Sequence, residues 1–218
     1  ITLPRIALMH TWRETQNEGW VRYALDRMEI PYASISDQEL RGFVERGGLL
    51  LVEGASTQLP IDLGFTPTVS TTEARSLRAQ GGVFRVQAVE AGSPILYGYE
   101  RNTFPVYFSQ SPLLTVQEAD TSVSAREREA QMDPAMVSAI EAMRARVVLQ
   151  FHERQDSLLV SGLLVGGNEL TKKAAVVNAP LGEGHVVYFA IRPFWRWETQ
   201  GSFALALNAI ASWNALDP

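Results

Sequence analysis

The first quarter of the chain alternates between two hydrophobic periods, and that alternation limits the folds open to it. "RIALM" (5–9) is a short apolar run suited to a buried strand. "QNEGWVRYALDRMEI" follows, with Trp20, Tyr23, Ala24, Arg27 (through its aliphatic stem) and Met28 at the i, i+3, i+4 spacing of an amphipathic helix. Asn17 is placed to cap this helix, Glu18 to meet its positive end, and Pro31 to stop it. "PYASIS" (31–36) is the next strand. "SDQELRGFVERGG" is a second helix, capped by Ser36 or Asp37, with Leu40, Phe43 and Val44 facing inward and Gly47 and Gly48 ending it. "LLLVEG" (49–54) is a third, buried strand. Strand, helix, strand, helix, strand predicts an α/β layer built on a parallel sheet.

The pattern then changes. "GASTQLPIDLGFTPTVSTTEA" is rich in Gly, Pro and Thr and is expected to be more loop than element. "GVFRVQAV" (82–89) and "FPVYFSQ" (104–110) alternate like strands of an inserted or edge sheet. "SAREREAQMDPAMVSAIEAMRA" (124–145) is helix-rich, with Pro134 starting a helix behind an Asp133 cap. Its "REREA" run is expected to be a solvated face. "RVVLQFH", "LLVSGLLVGGNEL", "KAAVVNAPLGEG" and "HVVYFAI" are further strand runs, and "APLGEGHVVYFAI" predicts a hairpin. "TQGSFALALNAIASW" (199–213) predicts a closing helix with Phe203, Leu205, Leu207, Ile210 and Ala211 available to the core.

Composition excludes several function classes. A net charge of −5 from 24 acidic and 19 basic residues argues against a general nucleic-acid binder, which needs a basic face. With no cysteine there is no thiolate metal site, disulfide or cysteine nucleophile. No apolar run approaches the ~18–20 residues that span a bilayer. The opening "ITLPRIAL" carries no basic n-region or long apolar run, so no signal peptide is expected there; without an initiator Met, a mature product or excised fragment is. The three histidines, His10, His152 and His185, lie in separate segments outside any H-x-x-E or H-E-x-x-H pattern, so no metal ligand is assigned. His152 ends one strand and His185 starts another, positions suited to half-exposed imidazoles. No G-x-S-x-G or P-loop spacing occurs; "GASTQ" places Ser56 just after a buried strand, the nearest approach to a nucleophile turn.

Two corners combine aromatic and charged residues: "MHTWRETQNEGW" (9–20) and "RPFWRWETQGSF" (192–203). Each follows an apolar strand and precedes a helix, the place where open α/β sheets bind ligands. The candidate binding residues are His10, Trp12, Arg13, Arg192, Trp195, Arg196 and Trp197. Trp offers flat apolar faces and Arg a bidentate fork for carboxylates. The competing reading is that the Trp side chains pack on the sheet rim, the charges form structural ion pairs, or both serve an interface. No catalytic residue is assigned.

"LPRIALMHTWRETQNEGWVRYALDRMEIPYASIS", "LRGFVERGGLLLVEGAS", "FPVYFSQSPLL" and "GEGHVVYFAIRPFWRWETQGSFALALNAI" resemble the region after the catalytic domain in bacterial zinc carboxypeptidase-like proteins of the carboxypeptidase A type. The resemblance spans most of the chain, strongest at its ends and weakest through 55–145. It implies one class I glutamine amidotransferase-like domain over 1–218: a flavodoxin-like three-layer α/β sandwich with a mostly parallel sheet and additional β-strands in the second half. It also implies a periplasmic or secreted parent with a preceding peptidase domain as partner, and zinc only in that domain. Amidotransferases of this class use a Cys nucleophile on a strand-to-helix corner with a His partner, and this chain has no Cys to carry that activity. The same resemblance implies another strand and loop before the helix ending in Gly-Gly, so a loop is expected to be missing near Leu40–Arg41.

Three functional expectations follow. The first is a non-catalytic accessory domain supporting packing, substrate access or oligomerisation. The second is a saccharide- or peptide-binding module that uses the strand-end cleft. The third is a hydrolase built around Ser56, Glu53 and a histidine.

Overall fold

The structure is a computed structural model that describes residues 6–8, 15–34, 37–117 and 130–217. β1 (Ala7–Leu8), α1 (Thr15–Arg27), β2 (Ala33–Ser34), α2 (Asp37–Glu45) and β3 (Leu49–Glu53) follow the hydrophobic alternation. β1 pairs β2 in parallel and Ile6 bridges Leu49 in the same sense, so these three strands share a direction. In α2, Leu40 and Val44 are fully buried and Phe43 packs against the core. Leu40 and Arg41 fall inside this one helix, which runs unbroken from Asp37 to Glu45. Gly47 ends it with φ at 90°, a conformation that side-chain-bearing residues rarely adopt.

α1 departs from expectation in two respects. It begins at Thr15, so Asn17 lies within the helix and is not its cap. Its buried face is Val21, Ala24 and Leu25, with Met28 partly buried, whereas Tyr23 is 46% exposed and Arg27 is exposed. The aliphatic set 21, 24, 25, 28 has the helical spacing too, and it covers the sheet without stranding a phenol or a guanidinium.

The Gly/Pro/Thr-rich passage is more ordered than a loop. It holds a 3₁₀ turn (Gly54–Thr57), α3 (Gln58–Asp62) and β4 (Val69–Thr72). β5 (Gly82–Ala88), β6 (Thr103–Phe108) and β7 (Leu113–Val116) follow. α4 (Pro134–Ala142) starts behind Asp133, whose carboxylate accepts the Ala135 N–H at 2.7 Å. The charged residues of the "REREA" run, 126–129, lie outside the described residues. β8 (Arg146–Phe151), β9 (Leu159–Ser161), β10 (Ala174–Leu181), β11 (Gly184–Phe189) and α5 (Gln200–Ala211) complete the chain. α5 buries Phe203, Leu205, Ala206, Ala209 and Ile210, while Leu207 is only partly covered and Ala211 is exposed.

Among the described residues the main sheet has nine strands, ordered β3-β11-β10-β8-β5-β6, with β7 joined to β10, β4 to β7 and β9 to β5. β11 runs parallel to β3, and every other pairing in this sheet is antiparallel. The sheet is therefore mixed, which corrects the expectation of a mostly parallel one. The reason is connection length. A parallel neighbour needs a crossover of a dozen residues or more, whereas the two-residue turn between β10 and β11 permits only a hairpin. Gly182 (φ 63°) and Glu183 make that turn, and a Cβ on Gly184, the first residue of β11, would run into the Val44 and Gly48 carbonyls.

The sheet also curls. Four strand spacings separate β11 from β6 along the sheet, about 19 Å if it were flat. Three residues past β11 reach at most about 10 Å. Yet the Arg192 N–H donates to the Tyr107 carbonyl on β6 at 3.1 Å. The inside of the curl is apolar, with Phe108 packed edge-on against both Phe84 and Phe151. No helix among the described residues is long and apolar enough to cross a membrane.

Candidate functional site

The far end of β11 gathers the second aromatic corner. After Phe189 the chain enters a 3₁₀ turn (Trp195–Trp197) in which Arg196 (φ 50°) and Trp197 (φ 60°) both occupy the left-handed region. Two consecutive non-glycine residues there cost on the order of 1–3 kcal/mol each. The turn sends its two tryptophans to different tasks. Trp197 meets the Tyr23 ring of α1 at 5.6 Å and the Phe203 ring of α5 at 5.0 Å, both nearly perpendicular, and so ties two helices to the sheet end. Trp195 lies instead against Tyr107, nearly coplanar at 9° with centroids 5.1 Å apart.

Trp195 is also the platform for two guanidinium groups. Arg192 Cζ lies 5.0 Å and Arg196 Cζ 5.3 Å from its ring centroid, within cation–π range. Among the described residues neither arginine is ion-paired, and Arg192 Nε is shielded from solvent without a hydrogen-bond acceptor. Such a donor costs about 1–3 kcal/mol to leave unmade. The nearby hydroxyls of Thr199 and Ser202 both donate to the Pro193 carbonyl. Arg192, Trp195, Arg196 and Trp197 thus share one corner. His10, Trp12 and Arg13 lie outside the described residues.

Tyr107 and Tyr23 are the contributors that sequence reasoning missed. Strand alternation held a partial signal for Tyr107: Val106 and Phe108 point into the core, so Tyr107 faces the other way.

At the end of β3, the residue turning the corner is Gly54, with φ 57° and no side chain. Ser56 is half-buried in the turn that follows, and the Thr57 hydroxyl donates to the Gly54 carbonyl at 2.7 Å. The register pairs His185 with Leu49 and Phe189 with Glu53, which sets His185 four steps, about 13 Å, from the corner. His152 follows β8, three strands away from β3. Neither reaches Ser56. An open cavity of about 450 Å³ adjoins this corner, between Thr57, Gln58, Thr72, Glu73 and the Gln110–Leu113 loop.

The opposite end of β11 holds a closed polar network. His185 is 4% exposed, not half-exposed, because the hairpin folds it against β10 and the chain's last described residues. Its Nδ1 sits 2.9 Å from Asn178 Oδ1, and its Nε2 3.6 Å from Asp217. The Asn178 amide donates to the Leu216 carbonyl at 3.0 Å. Arg146 pairs with Asp217 at 2.8 Å, and its Nε lies 3.3 Å from Glu90, near enough for attraction though misaligned for a hydrogen bond. Burial lowers the His185 pKa; Asp217 opposes that shift and Arg146 adds to it. Burial raises the Glu90 pKa against the pull of Arg146. Among the described residues no group of three or more His, Asp or Glu could hold a metal ion.

No protein-family model matches the chain, and no curated protein matches it in sequence. Solved structures do match it. A ThuA-like protein from Parabacteroides merdae aligns with TM-score 0.58 at 7% identity, over 98% of this chain and 91% of that one. A ThuA-like protein from Bacteroides uniformis gives 0.54 at 11% identity, over 99% and 95%. The β-galactosidase of Bacillus circulans sp. alkalophilus gives 0.53 at 10% identity, over 96% of this chain but only 30% of that enzyme. At such identities the likeness is one of fold: an α/β fold shared with ThuA-like proteins and with part of larger glycosidases. The resemblance to zinc carboxypeptidase-like proteins is thereby corrected, since none of these neighbours is a carboxypeptidase. Much of what suggested it is buried strand and helix pattern, which α/β folds of many families share.

Proposed function

We propose that the chain is a non-catalytic accessory α/β domain of a larger protein, with an amidotransferase-like arrangement, serving domain packing or oligomerisation. The observation that carries this reading is Gly54. After β3 the chain makes a strand-to-helix corner, the kind of corner on which an amidotransferase presents its nucleophile, and turns it through a residue without a side chain. The part-length match to a β-galactosidase supports an embedded role. So does the exposure of Leu159, Val160, Leu163 and Val165 in one short stretch, since clustered apolar surface marks interaction sites.

The test is turnover. The purified chain is expected to hydrolyse neither glutamine, peptide nor chromogenic galactoside substrates; a measurable kcat that Ser56→Ala abolishes would overturn the reading. A second reading, a saccharide- or peptide-binding module, is favoured by one observation: on Trp195 lie two arginines that have no carboxylate partner among the described residues.

A further inference from the structure

We infer that Arg192 and Arg196, gathered on Trp195, form a receptor for the carboxylate group of a small ligand, an assignment that rests on the binding-module reading. Their guanidinium carbons lie 5.0 and 5.3 Å from one indole centroid, and so no more than about 10 Å from each other. Both are cations without an anionic partner among the described residues, in a chain of net charge −5 with 24 carboxylate side chains. They meet on one indole at a turn in which Arg196 itself occupies a costly backbone conformation. Arg192 is the more committed of the two. Its Nε is shielded from solvent and lacks an acceptor, while its backbone N–H is fixed to Tyr107.

A planar guanidinium fork matches a carboxylate through two parallel hydrogen bonds. The indole and phenol planes stacked beside it hold the fork in place, which lowers the ordering cost of binding. The Thr199 and Ser202 hydroxyls of the same corner are engaged by the Pro193 carbonyl and add no donor for the further oxygens of a phosphate.

Isothermal titration calorimetry with D-glucuronate, N-acetyl-Ala-Ala and inorganic phosphate, with D-glucose as the neutral control, tests this. At least one carboxylate is expected to bind saturably, tenfold or more tighter than glucose and tighter than phosphate, and the stronger of the two carboxylates assigns the source as sugar acid or peptide terminus. Arg192→Gln and Arg196→Gln should each weaken that binding tenfold or more. Arg196 is exposed, so its variant keeps the test available if Arg192→Gln fails to fold. No saturable carboxylate binding, tighter phosphate binding, or unchanged affinity in the arginine variants would overturn the inference. Glucose binding that is indifferent to both arginines but lost in Trp195→Ala would overturn it while leaving the binding-module reading intact.

Discussion

The two ends of β11 both hold arginine, to opposite effect. At its start, Arg146 has Glu90 and Asp217, His185 has Asn178 and Asp217, and Asn178 has the Leu216 carbonyl. Each charge there meets its complement inside the protein. Past its end, Arg192 and Arg196 lie on an aromatic stack with no carboxylate among the described residues. The difference is instructive because arginine content alone does not tell the two ends apart. Internal partners among the described residues mark the network that holds the fold, and their absence among those residues marks the end proposed to bind a ligand.

Mutations at the two ends sharpen the contrast. The largest effect is expected from Asn178→Ala, which leaves both His185 and the Leu216 carbonyl without their partner in a fully buried position. Urea unfolding should show a loss of about 2–4 kcal/mol; a loss below 1 kcal/mol would mean that the closed end is not structural.

A pH effect follows from the same cluster. The folded His185 pKa lies below its ordinary 6.5, mainly through burial, so the unfolded chain takes up the proton first. Stability contributed by neutral His185 is therefore full above pH 6.5 and falls as pH drops through 6.5 towards the folded value. Glu90, raised above 4.5, acts in the opposite sense: its contribution falls as pH rises through the range above 4.5. Tm measured between pH 7.5 and 5.5 should decline on acidification, and the decline should flatten in His185→Gln.

The open end should respond weakly in stability. Trp195→Ala removes the stack on Tyr107 and should cost about 0.5–1.5 kcal/mol. Arg196→Gln, at an exposed position, should stay within about 0.5 kcal/mol of the parent in the same unfolding assay. A destabilisation by Arg196→Gln as large as that of Asn178→Ala would erase the distinction between the two ends.

Local features of this fold were legible in the sequence, and long-range ones were not. The burial of Leu40 and Val44 follows from spacing within one helix, and the β10–β11 hairpin from a glycine-bearing reversal between two apolar runs. The mixed sheet was hidden because strand direction depends on which strands meet, and β4 was hidden because its "VSTT" lacks the apolar alternation of a half-buried strand. Ala24 and Met28 were placed correctly on the inner face of α1, but Val21 and Leu25 were missed because Tyr23 and Arg27 fit helical spacing equally well. The burial of His185 depends on Asp217 and Leu216 folding back beneath the hairpin, which no local pattern encodes. At the candidate site, residues 192–197 announced themselves by type, but Tyr107 arrives from a strand more than eighty positions earlier through the curl of the sheet.

The claim that one end of β11 binds and the other only holds is tested most directly by thermal unfolding with and without saturating carboxylate ligand, taken from the titrations above. Ligand that binds only the folded state raises Tm by an amount that grows with the logarithm of its concentration over its Kd. The account predicts that the ligand raises the Tm of the parent chain and of Asn178→Ala by the same amount, although the latter starts lower, and that it leaves Arg192→Gln unmoved. An equal rise in Arg192→Gln, or a rise abolished by Asn178→Ala in a chain that still folds, would contradict it.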